Sequence, residues 1–295
     1  MTILELIEAG AKQLLEAGVA FGHGTTNAFD EAAWLVLWQL GLPLDSPLDG
    51  PDSIANQPVA PVLYAHVATL LIARVETRKP AAYLTQEAWL QGVPFYVDER
   101  AIVPRSLIAE LLVNGSLDYW LSESTQRVLD LCTGNGSLAV LAAMTYPDVT
   151  VDGADISTDA LAVARINVDK HELQERITLL TSDGLAGVHG PYDLILCNPP
   201  YVNAQSMAAL PAEYLAEPAM ALDGNASGGS DGMDFIRQLL RDAPQHMSDK
   251  AVLVLEIGNE QDHFEAAFPQ LETIWLETSA GEAQVLLLTR AALLA

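Results

Sequence analysis

The sequence predicts an α/β protein built on a mostly parallel β-sheet and preceded by a small helical region. From residue 127 onward, short apolar strands alternate with helical stretches, which is typical of a parallel sheet covered by helices on both faces. Only residues 279–282 separate the last two strands, whereas a parallel crossover needs about a dozen residues or more. The sheet is therefore expected to end in an antiparallel hairpin.

The N-terminal part of the chain is predicted to be a small bundle of helices. Residues 2–17 carry apolar side chains at helical spacing and are followed by Gly18, and residues 29–40 repeat this pattern. A third helix is expected to end near Arg78, because Pro80 cannot continue it. The apolar stripes of these helices are expected to form the core of the bundle.

A hairpin is expected between the helical region and the sheet. Residues 89–103 alternate between apolar and polar side chains around the sequence DER, which is typical of a β-hairpin. The predicted organisation is a helical domain at residues 1–86, a hairpin linker at 87–105 and a sheet-containing domain at 106–295.

The last of these domains is expected to contain seven strands and four helices. The predicted strands are residues 127–132, 149–156, 177–183, 192–197, 251–258, 273–278 and 283–290. The predicted helices are residues 137–145, 158–170, 231–243 and 260–268. A parallel sheet that ends in an antiparallel hairpin is more specific than a generic doubly wound fold.

The composition limits the partners that this chain can have. It has 295 residues and 39 acidic against 14 basic side chains, so the net charge is −25. Such a field repels phosphate backbones and disfavours tight nucleic-acid binding, whereas it attracts a basic partner. The alternative is that the acidity only keeps the protein soluble.

The remaining composition indicates a soluble cytoplasmic protein. Cys132 and Cys197 alone give no disulfide framework, which fits a reducing compartment. The histidines lack the spacing of metal ligands, so no metal site is expected. No apolar run is long enough for a membrane span, and the first residues predict an amphipathic helix rather than a signal peptide.

The sequence VLDLCTGNGSLAV predicts a ligand-binding turn between the first strand of the sheet and a helix. Gly134 and Gly136 let the backbone approach a ligand, and the helix N-terminus offers free N–H groups. The second strand ends at Asp155, at the spacing of an acid that grips a ribose diol. The third strand ends at Asp183, which is placed to reach an adenine amino group. These residues fit either NAD or S-adenosylmethionine (SAM).

Asp130 favours SAM over NAD. It lies at the end of the first strand, where a carboxylate can receive the ammonium of an amino-acid tail and would repel a pyrophosphate. The structural alternatives are a cap or turn role for Asp130 and a helix N-cap role for Asp155. Ser157 or Thr158 would fill the N-cap more naturally.

The sequence CNPPYV predicts a binding corner at the end of the fourth strand. Pro199 and Pro200 have no backbone N–H, and Asn198 is held extended because it precedes a proline. The corner therefore offers acceptors, the Asn198 side-chain oxygen and the Pro199 carbonyl, which suit a planar –NH₂ group. Tyr201 can stack on that group. The alternative is a rigid turn without a binding role.

Together these features resemble the class I SAM-dependent methyltransferases, and more closely the protein-(glutamine-N5) methyltransferases of the HemK/Prm family. The resemblance covers nearly the whole chain. Besides the two motifs above, it depends on the sequences KPAAYLTQEAWLQGVPFYVDERAIVPRS, EPAMAL, GGSDGMDFIRQLL and VLEIGNEQ. It implies a seven-stranded, mostly parallel sheet with an antiparallel C-terminal hairpin, a small helical N-terminal domain that recognises a protein substrate, and a C-terminal domain that binds SAM.

The resemblance also implies two sets of site residues. The substrate glutamine would be held by Asn198, Pro199 and Tyr201. The cofactor would be held by Asp130, Thr133, Gly134, Gly136, Asp155, Asp183 and Asn198. The chain departs from the family pattern at two places. The sequence DGNASGGSDG contains extra residues, and the sequence SAGEAQVLL lacks the Gly-Arg-Asp-like motif that is common in the branch of the family that modifies release factors.

Two branches of the family modify different proteins. The sequence PRSLIAE lacks the Pro-Arg-Pro of the release-factor branch. Together with FYVDER it resembles the branch that methylates a glutamine of the third protein of the large ribosomal subunit. The implied partner is this basic ribosomal protein, and peptide chain release factors are the alternative.

Enzymes of other classes share parts of the pattern. DNA adenine-N6 and ribosomal RNA guanine-N2 methyltransferases use the same Asn-Pro-Pro-Tyr sequence, but they must also flip a base and grip phosphates, which the acidic charge disfavours. A non-catalytic interaction module is disfavoured by the intact Asn198–Tyr201 sequence. An NAD dehydrogenase is disfavoured by Asp130 and by the lack of a hydride-transfer constellation.

Overall fold

A computed structural model describes residues 1–295 and contains nine strands and twelve α-helices. The strands are β1 (Ala88–Leu90), β2 (Val93–Phe95), β3 (Arg127–Leu131), β4 (Thr150–Asp155), β5 (Ile177–Thr181), β6 (Tyr192–Cys197), β7 (Met247–Glu256), β8 (Ile274–Thr278) and β9 (Gly281–Thr289). The helices are α1 (Ile3–Glu16), α2 (Ala28–Gln39), α3 (Pro61–Thr77), α4 (Ala81–Thr85), α5 (Ile108–Val113), α6 (Ser137–Thr145), α7 (Thr158–Lys170), α8 (Ala204–Ala208), α9 (Ala212–Leu215), α10 (Asp234–Asp242), α11 (Gln261–Ala267) and α12 (Arg290–Leu294).

The large sheet has seven strands in the order β5-β4-β3-β6-β7-β9-β8. The pairs among β3, β4, β5, β6 and β7 are parallel, whereas β9 is antiparallel to both β7 and β8. The predicted seven-stranded sheet with an antiparallel C-terminal hairpin is therefore confirmed. The chain order reverses between β3 and β6, and ligands of such sheets bind at the carboxyl ends of the strands at this switch point.

Helices cover both faces of the sheet because its central strands are apolar on both sides. Val128, Leu194 and Val252 point into one buried cluster. Their neighbours Leu129 and Ile195 point into the other, as the two-residue period of a strand requires. This double burial fixes the register of the strands that carry the site.

The helical N-terminal region has a core of its own. Helices α1, α2 and α3 pack around a third buried cluster, which also includes Val97 and Val103 from the segment after β2. Thr2 and Glu5 form a capping box at the start of α1. The predicted third helix ends at Thr77, followed by Arg78 in a left-handed conformation.

The hairpin before the sheet forms, but the expectation that its strands alternate around the sequence DER is wrong. Its turn lies at Gln91 and Gly92, whose φ angles are 50° and 76°. Two consecutive residues with positive φ are what a two-residue hairpin turn requires. In the DER sequence, Arg100 instead folds back on Asp98, with its Nε 2.9 Å from an Asp98 carboxylate oxygen.

None of the helices has both the length and the apolar character needed to cross a membrane.

Candidate active site

A cavity of about 320 Å³ opens at the carboxyl ends of the parallel strands. Residues that follow β3, β4, β5 and β6 line it, so it straddles the switch point of the sheet. Residues within the segments 100–102 and 218–226, together with Phe235 of α10, supply most of the rest of its surface.

The glycine-rich turn after β3 forms one side of the cavity. Gly134 lines the cavity with a φ of +54°, and Gly136 begins α6 with a φ of +80°. A Cβ on Gly136 would also lie 3.1 Å from the Cβ of Ala164 in α7. Both conformations and this close approach explain why the turn needs glycine at these positions.

Asp130 lies beneath this turn and not on the cavity surface. Its Oδ2 accepts hydrogen bonds from the Thr133 hydroxyl and from the Ala139 backbone N–H at 2.9 Å. Its Oδ1 is buried and has no hydrogen-bond partner. Burial raises the pKa of Asp130 to about 7, although the two hydrogen bonds oppose the shift. The contacts of Asp130 hold the turn together.

Asp155 joins the end of β4 to the turn. Its Oδ2 accepts the Gly134 backbone N–H at 2.9 Å, and its Oδ1 accepts the Ser157 N–H at the same distance. Ser157 itself is the N-cap of α7, because its hydroxyl accepts the Ala160 N–H. Asp155 lines the cavity, and burial raises its pKa.

Asp183 reaches the same cavity from the end of β5, where its side chain is exposed. The side chain forms no hydrogen bond with the protein, so its carboxylate is available to a ligand.

The Asn-Pro-Pro-Tyr corner follows β6 directly. Asn198 and Pro200 line the cavity, whereas Pro199 is buried behind them. The Asn198 side chain makes no hydrogen bond with the protein, so its amide oxygen is free to accept one. Tyr201 does not line the cavity. Its ring lies against Gly258, where a Cβ would come within 2.7 Å of a ring carbon.

The predicted residues thus divide into two groups. Those that line the cavity are Gly134, Asp155, Asp183 and Asn198. Those that support the lining from behind are Asp130, Thr133, Gly136, Pro199 and Tyr201. Burial and the nearby Glu256 raise the pKa of Tyr201, which keeps its phenol neutral.

The loop 223–232, whose role the sequence left open, clamps the chain just after the corner. The Gly224 N–H donates to the Val202 carbonyl oxygen at 3.1 Å, and the Asn225 amide donates to the same oxygen at 3.0 Å. Gly232 lies against the Tyr201 carbonyl so closely that a Cβ would be 2.1 Å from the oxygen. The extra residues of this loop therefore contribute to the site.

Sequence reasoning missed an ion pair beside the cavity in which the carboxylate is fully buried. Arg105 binds the carboxylate of Glu217 at two points, from the sequences PRS and EPAMAL. Both sequences contribute to the resemblance to the family. However, no local sequence pattern predicts that two residues so far apart in the chain form an ion pair.

Comparison with known proteins shows full-length relatives of this chain. A protein of Bordetella pertussis named ribosomal protein uL3 glutamine methyltransferase is 50% identical over 292 residues, which are 98% of this chain and 95% of the relative. A protein of the same name from Burkholderia pseudomallei is 48% identical over 296 residues, 97% of this chain and 94% of the relative.

The chain belongs to the ribosomal protein uL3 glutamine methyltransferase family. The domain described as "Methyltransferase small domain" matches residues 110–230, a range that contains both the glycine-rich turn and the Asn-Pro-Pro-Tyr corner. The family predicted from the sequence and its class of enzyme, a methyltransferase, are therefore confirmed.

Solved structures agree with this family at the level of the fold. The catalytic domain of hMettl16, in complex with MAT2A 3′UTR hairpin 1, superposes with a TM-score of 0.53 at 13% identity, over 87% of this chain and 89% of that chain. The same domain with hairpin 6 gives a TM-score of 0.52 over 83% of this chain and 86% of that chain. At this low identity the likeness concerns the fold alone.

Proposed function

We propose that this protein transfers a methyl group from SAM to the side-chain amide nitrogen of a glutamine in ribosomal protein uL3, the substrate in the names of its relatives. One observation supports the chemistry most directly. Asn198, with its free amide oxygen, shares a cavity with the glycine-rich turn and with Asp155. A group held by the corner and a nucleotide held by the turn would therefore meet.

The residues at the turn fit SAM as the cofactor. Gly134 offers a close backbone approach, Asp155 is suited to the ribose hydroxyls, and the exposed carboxylate of Asp183 is suited to the adenine amino group. The Oδ1 of Asp130 is buried and has no hydrogen-bond partner, so a positive group nearby would stabilise it. The ammonium of the methionine part of SAM is such a group. When bound, SAM supplies an electrophilic methyl group on a positively charged sulfur.

The corner would bind the substrate through its amide. The side-chain oxygen of Asn198, a residue that lines the cavity, accepts an N–H of the glutamine –NH₂ group and so orients the amide. The two prolines add no donor that could compete for the amide nitrogen. The lone pair of that nitrogen is then directed toward the methyl group.

Orientation and electrostatics carry this proposed mechanism, because an amide nitrogen is a weak nucleophile whose proton is hard to remove. Holding the reacting atoms at attack distance contributes about 7 kcal/mol or more. The acceptor at Asn198 also stabilises the positive charge that develops on nitrogen. The proton can leave to water afterwards, so no general base is required.

The charge distribution supports a basic protein as substrate. Lys12 is the only lysine or arginine among residues 1–73, whereas the same stretch carries eight Asp and Glu residues, counted from the sequence. We assign substrate recognition to the helical domain at 1–86, with the linker at 87–105 and catalysis at 106–295. The proposed location is the cytoplasm, where ribosomal proteins are made.

The proposal is tested by incubating the protein with labelled SAM and three acceptors: purified uL3, release factors, and deproteinised nucleic acid. We expect label in uL3, and mass spectrometry of its peptides should place one methyl group on a glutamine side chain. Label in release factors instead would assign the chain to the other branch of the family. Label only in RNA or DNA would contradict a protein substrate.

A further inference from the structure

The cavity has an outer wall formed by two chain segments that lie outside the sheet. Residues 100–102 follow the β1–β2 hairpin and residues 218–221 follow α9, and both segments line the cavity. They are far apart in the sequence, and neither belongs to a strand of the sheet. The distance between this outer wall and Asn198 therefore depends on what ties the two segments together.

The carboxylate of Glu217 joins the two segments of the outer wall. Glu217 directly precedes Pro218, and its Oε1 accepts the Val103 backbone N–H at 2.9 Å. Arg105 donates to both carboxylate oxygens, from Nη1 to Oε1 at 2.6 Å and from Nη2 to Oε2 at 2.7 Å. Each segment of the wall thus adjoins a residue of this contact, with Val103 directly after residue 102 and Glu217 directly before Pro218.

The carboxylate side of the contact is shielded from water, whereas the Arg105 side chain is 24% exposed. The side chain of Glu217 is 0% exposed, and the His23 ring nitrogen lies 3.4 Å from its Oε2. Although burial raises the pKa of Glu217, the charge of Arg105 and the His23 ring outweigh it and hold the pKa at about 2. A two-point, charge-assisted contact fixes the orientation of both partners as well as their distance.

We infer that Glu217 and Arg105 are positioning residues for methyl transfer. Their contact holds the outer wall at one distance from Asn198, so that the bound amide and the bound cofactor meet in a single geometry. Neither side chain lines the cavity, so both act through the wall residues. The inference rests on the proposed function, because it concerns the alignment of the two partners of that reaction.

A second ion pair of the same chain provides a matched control. Arg74 and Glu31 are 0% and 1% exposed, and Nε lies 2.7 Å from Oε1. This pair joins α2 to α3, and Arg74 Nη1 also lies 3.5 Å from Glu213 of α9, but neither Arg74 nor Glu31 lines the cavity. Loss of the Glu31 charge should disturb stability, but it leaves the contacts of Glu217 with Val103 and Arg105 intact, so the outer wall should stay in place.

The experiment compares wild type, Glu217→Gln and Glu31→Gln as full-length proteins. Melting temperature, the Kd for S-adenosylhomocysteine by calorimetry, and kcat and KM for uL3 are measured for each. Both variants should melt at a lower temperature, because each removes the charge of a buried carboxylate that pairs with an arginine. Only Glu217→Gln should lower kcat, by about 100-fold for a displaced reactant, and weaken S-adenosylhomocysteine binding. Glu31→Gln should leave both quantities at the wild-type value.

A conservative variant keeps the inference testable if Glu217→Gln does not fold. Arg105→Lys retains the charge but not the planar fork, so it should keep most of the stability and still lose kcat. Wild-type kcat and S-adenosylhomocysteine affinity in either folded variant would overturn the inference, as would an equal loss of kcat in Glu31→Gln. If wild type itself did not methylate uL3, the proposed function would be wrong. The positioning role is tested separately, because unchanged S-adenosylhomocysteine binding in Glu217→Gln would overturn it.

Discussion

Asp130 has an environment that few carboxyl groups tolerate in the charged state. One of its oxygens receives two hydrogen bonds and holds the glycine-rich turn, while the other is buried without a partner. Burial raises its pKa to about 7, which lies far above the value expected in an unfolded chain, near 4. The folded state therefore binds a proton that the unfolded state has released between these two pH values.

This difference predicts a pH-dependent effect of Asp130→Asn on stability. The contribution of Asp130 to the free energy of unfolding of wild type should fall as pH rises from about 4 to about 7, by at most about 1.4 kcal/mol per pH unit. The asparagine variant cannot titrate, so its stability relative to wild type should increase over that range and level off above it. Urea unfolding of both proteins at several pH values measures the difference, and a difference that does not change with pH would contradict the assigned environment.

Single residues also show where the sequence was informative. The glycines and prolines of the two motifs predict backbone geometry, and the structure has Gly134 and Asn198 at one cavity as those motifs suggested. The direction of a side chain cannot be read in the same way. Tyr201 was expected to stack on the substrate, but its ring packs on Gly258, a neighbour brought to it only by the folding of the sheet.

At the scale of elements, the corner after β6 is supported by the residues that follow β7. Gly258 has a φ of +53°, and a Cβ there would come within 2.7 Å of the Tyr201 ring. Gly18, after α1, has a similar φ of +60° and nothing within 4 Å of the position of a Cβ. The two glycines thus share the backbone requirement and differ only in the contact.

Alanine substitutions at these two glycines should separate backbone strain from displacement of the corner. Gly18→Ala should lower the free energy of unfolding by about 1 kcal/mol, the cost of a left-handed alanine, without changing turnover. Gly258→Ala should cost about 1–3 kcal/mol more, because the Tyr201 ring must move, and it should also slow methylation. Chemical denaturation and uL3 methylation rates measure both effects. Equal losses in the two variants would show that Tyr201 does not depend on this contact.

The elements that the sequence predicted well are apolar segments with clear boundaries. Strand β6 and helices α6 and α7 have the expected bounds, because α6 and α7 begin after the N-caps Gly136 and Ser157 and β6 ends before two prolines. Helices α8 and α9 have five and four residues, which is too short for any periodicity. The hairpin turn was misplaced because its signal was the pair of left-handed residues, not the polar sequence DER.

At the scale of the whole molecule, the net charge of −25 should affect the encounter with a basic substrate. Opposite charges on two proteins speed their association, and dissolved salt screens the attraction. The effect concerns the formation of the complex more than the chemical step, so it should appear in kcat/KM and not in kcat.

Raising the salt concentration from about 50 mM to about 500 mM should therefore lower kcat/KM for uL3 by about tenfold. A short uncharged peptide that contains the same glutamine is the control, and its kcat/KM should change little. Initial rates across the salt series measure both. If uL3 and the neutral peptide responded equally, the acidity would serve solubility alone.

The mechanism depends on the claim that Asn198 holds the substrate amide, whereas binding of the cofactor does not depend on Asn198 alone. Its most direct test is Asn198→Ala, with the methylation rate of uL3 and the Kd for S-adenosylhomocysteine measured on the same preparation. The account predicts that methylation falls by about 100-fold or more, because the amide loses its orientation, while the Kd remains close to the wild-type value. Near-normal methylation in this variant would contradict the account.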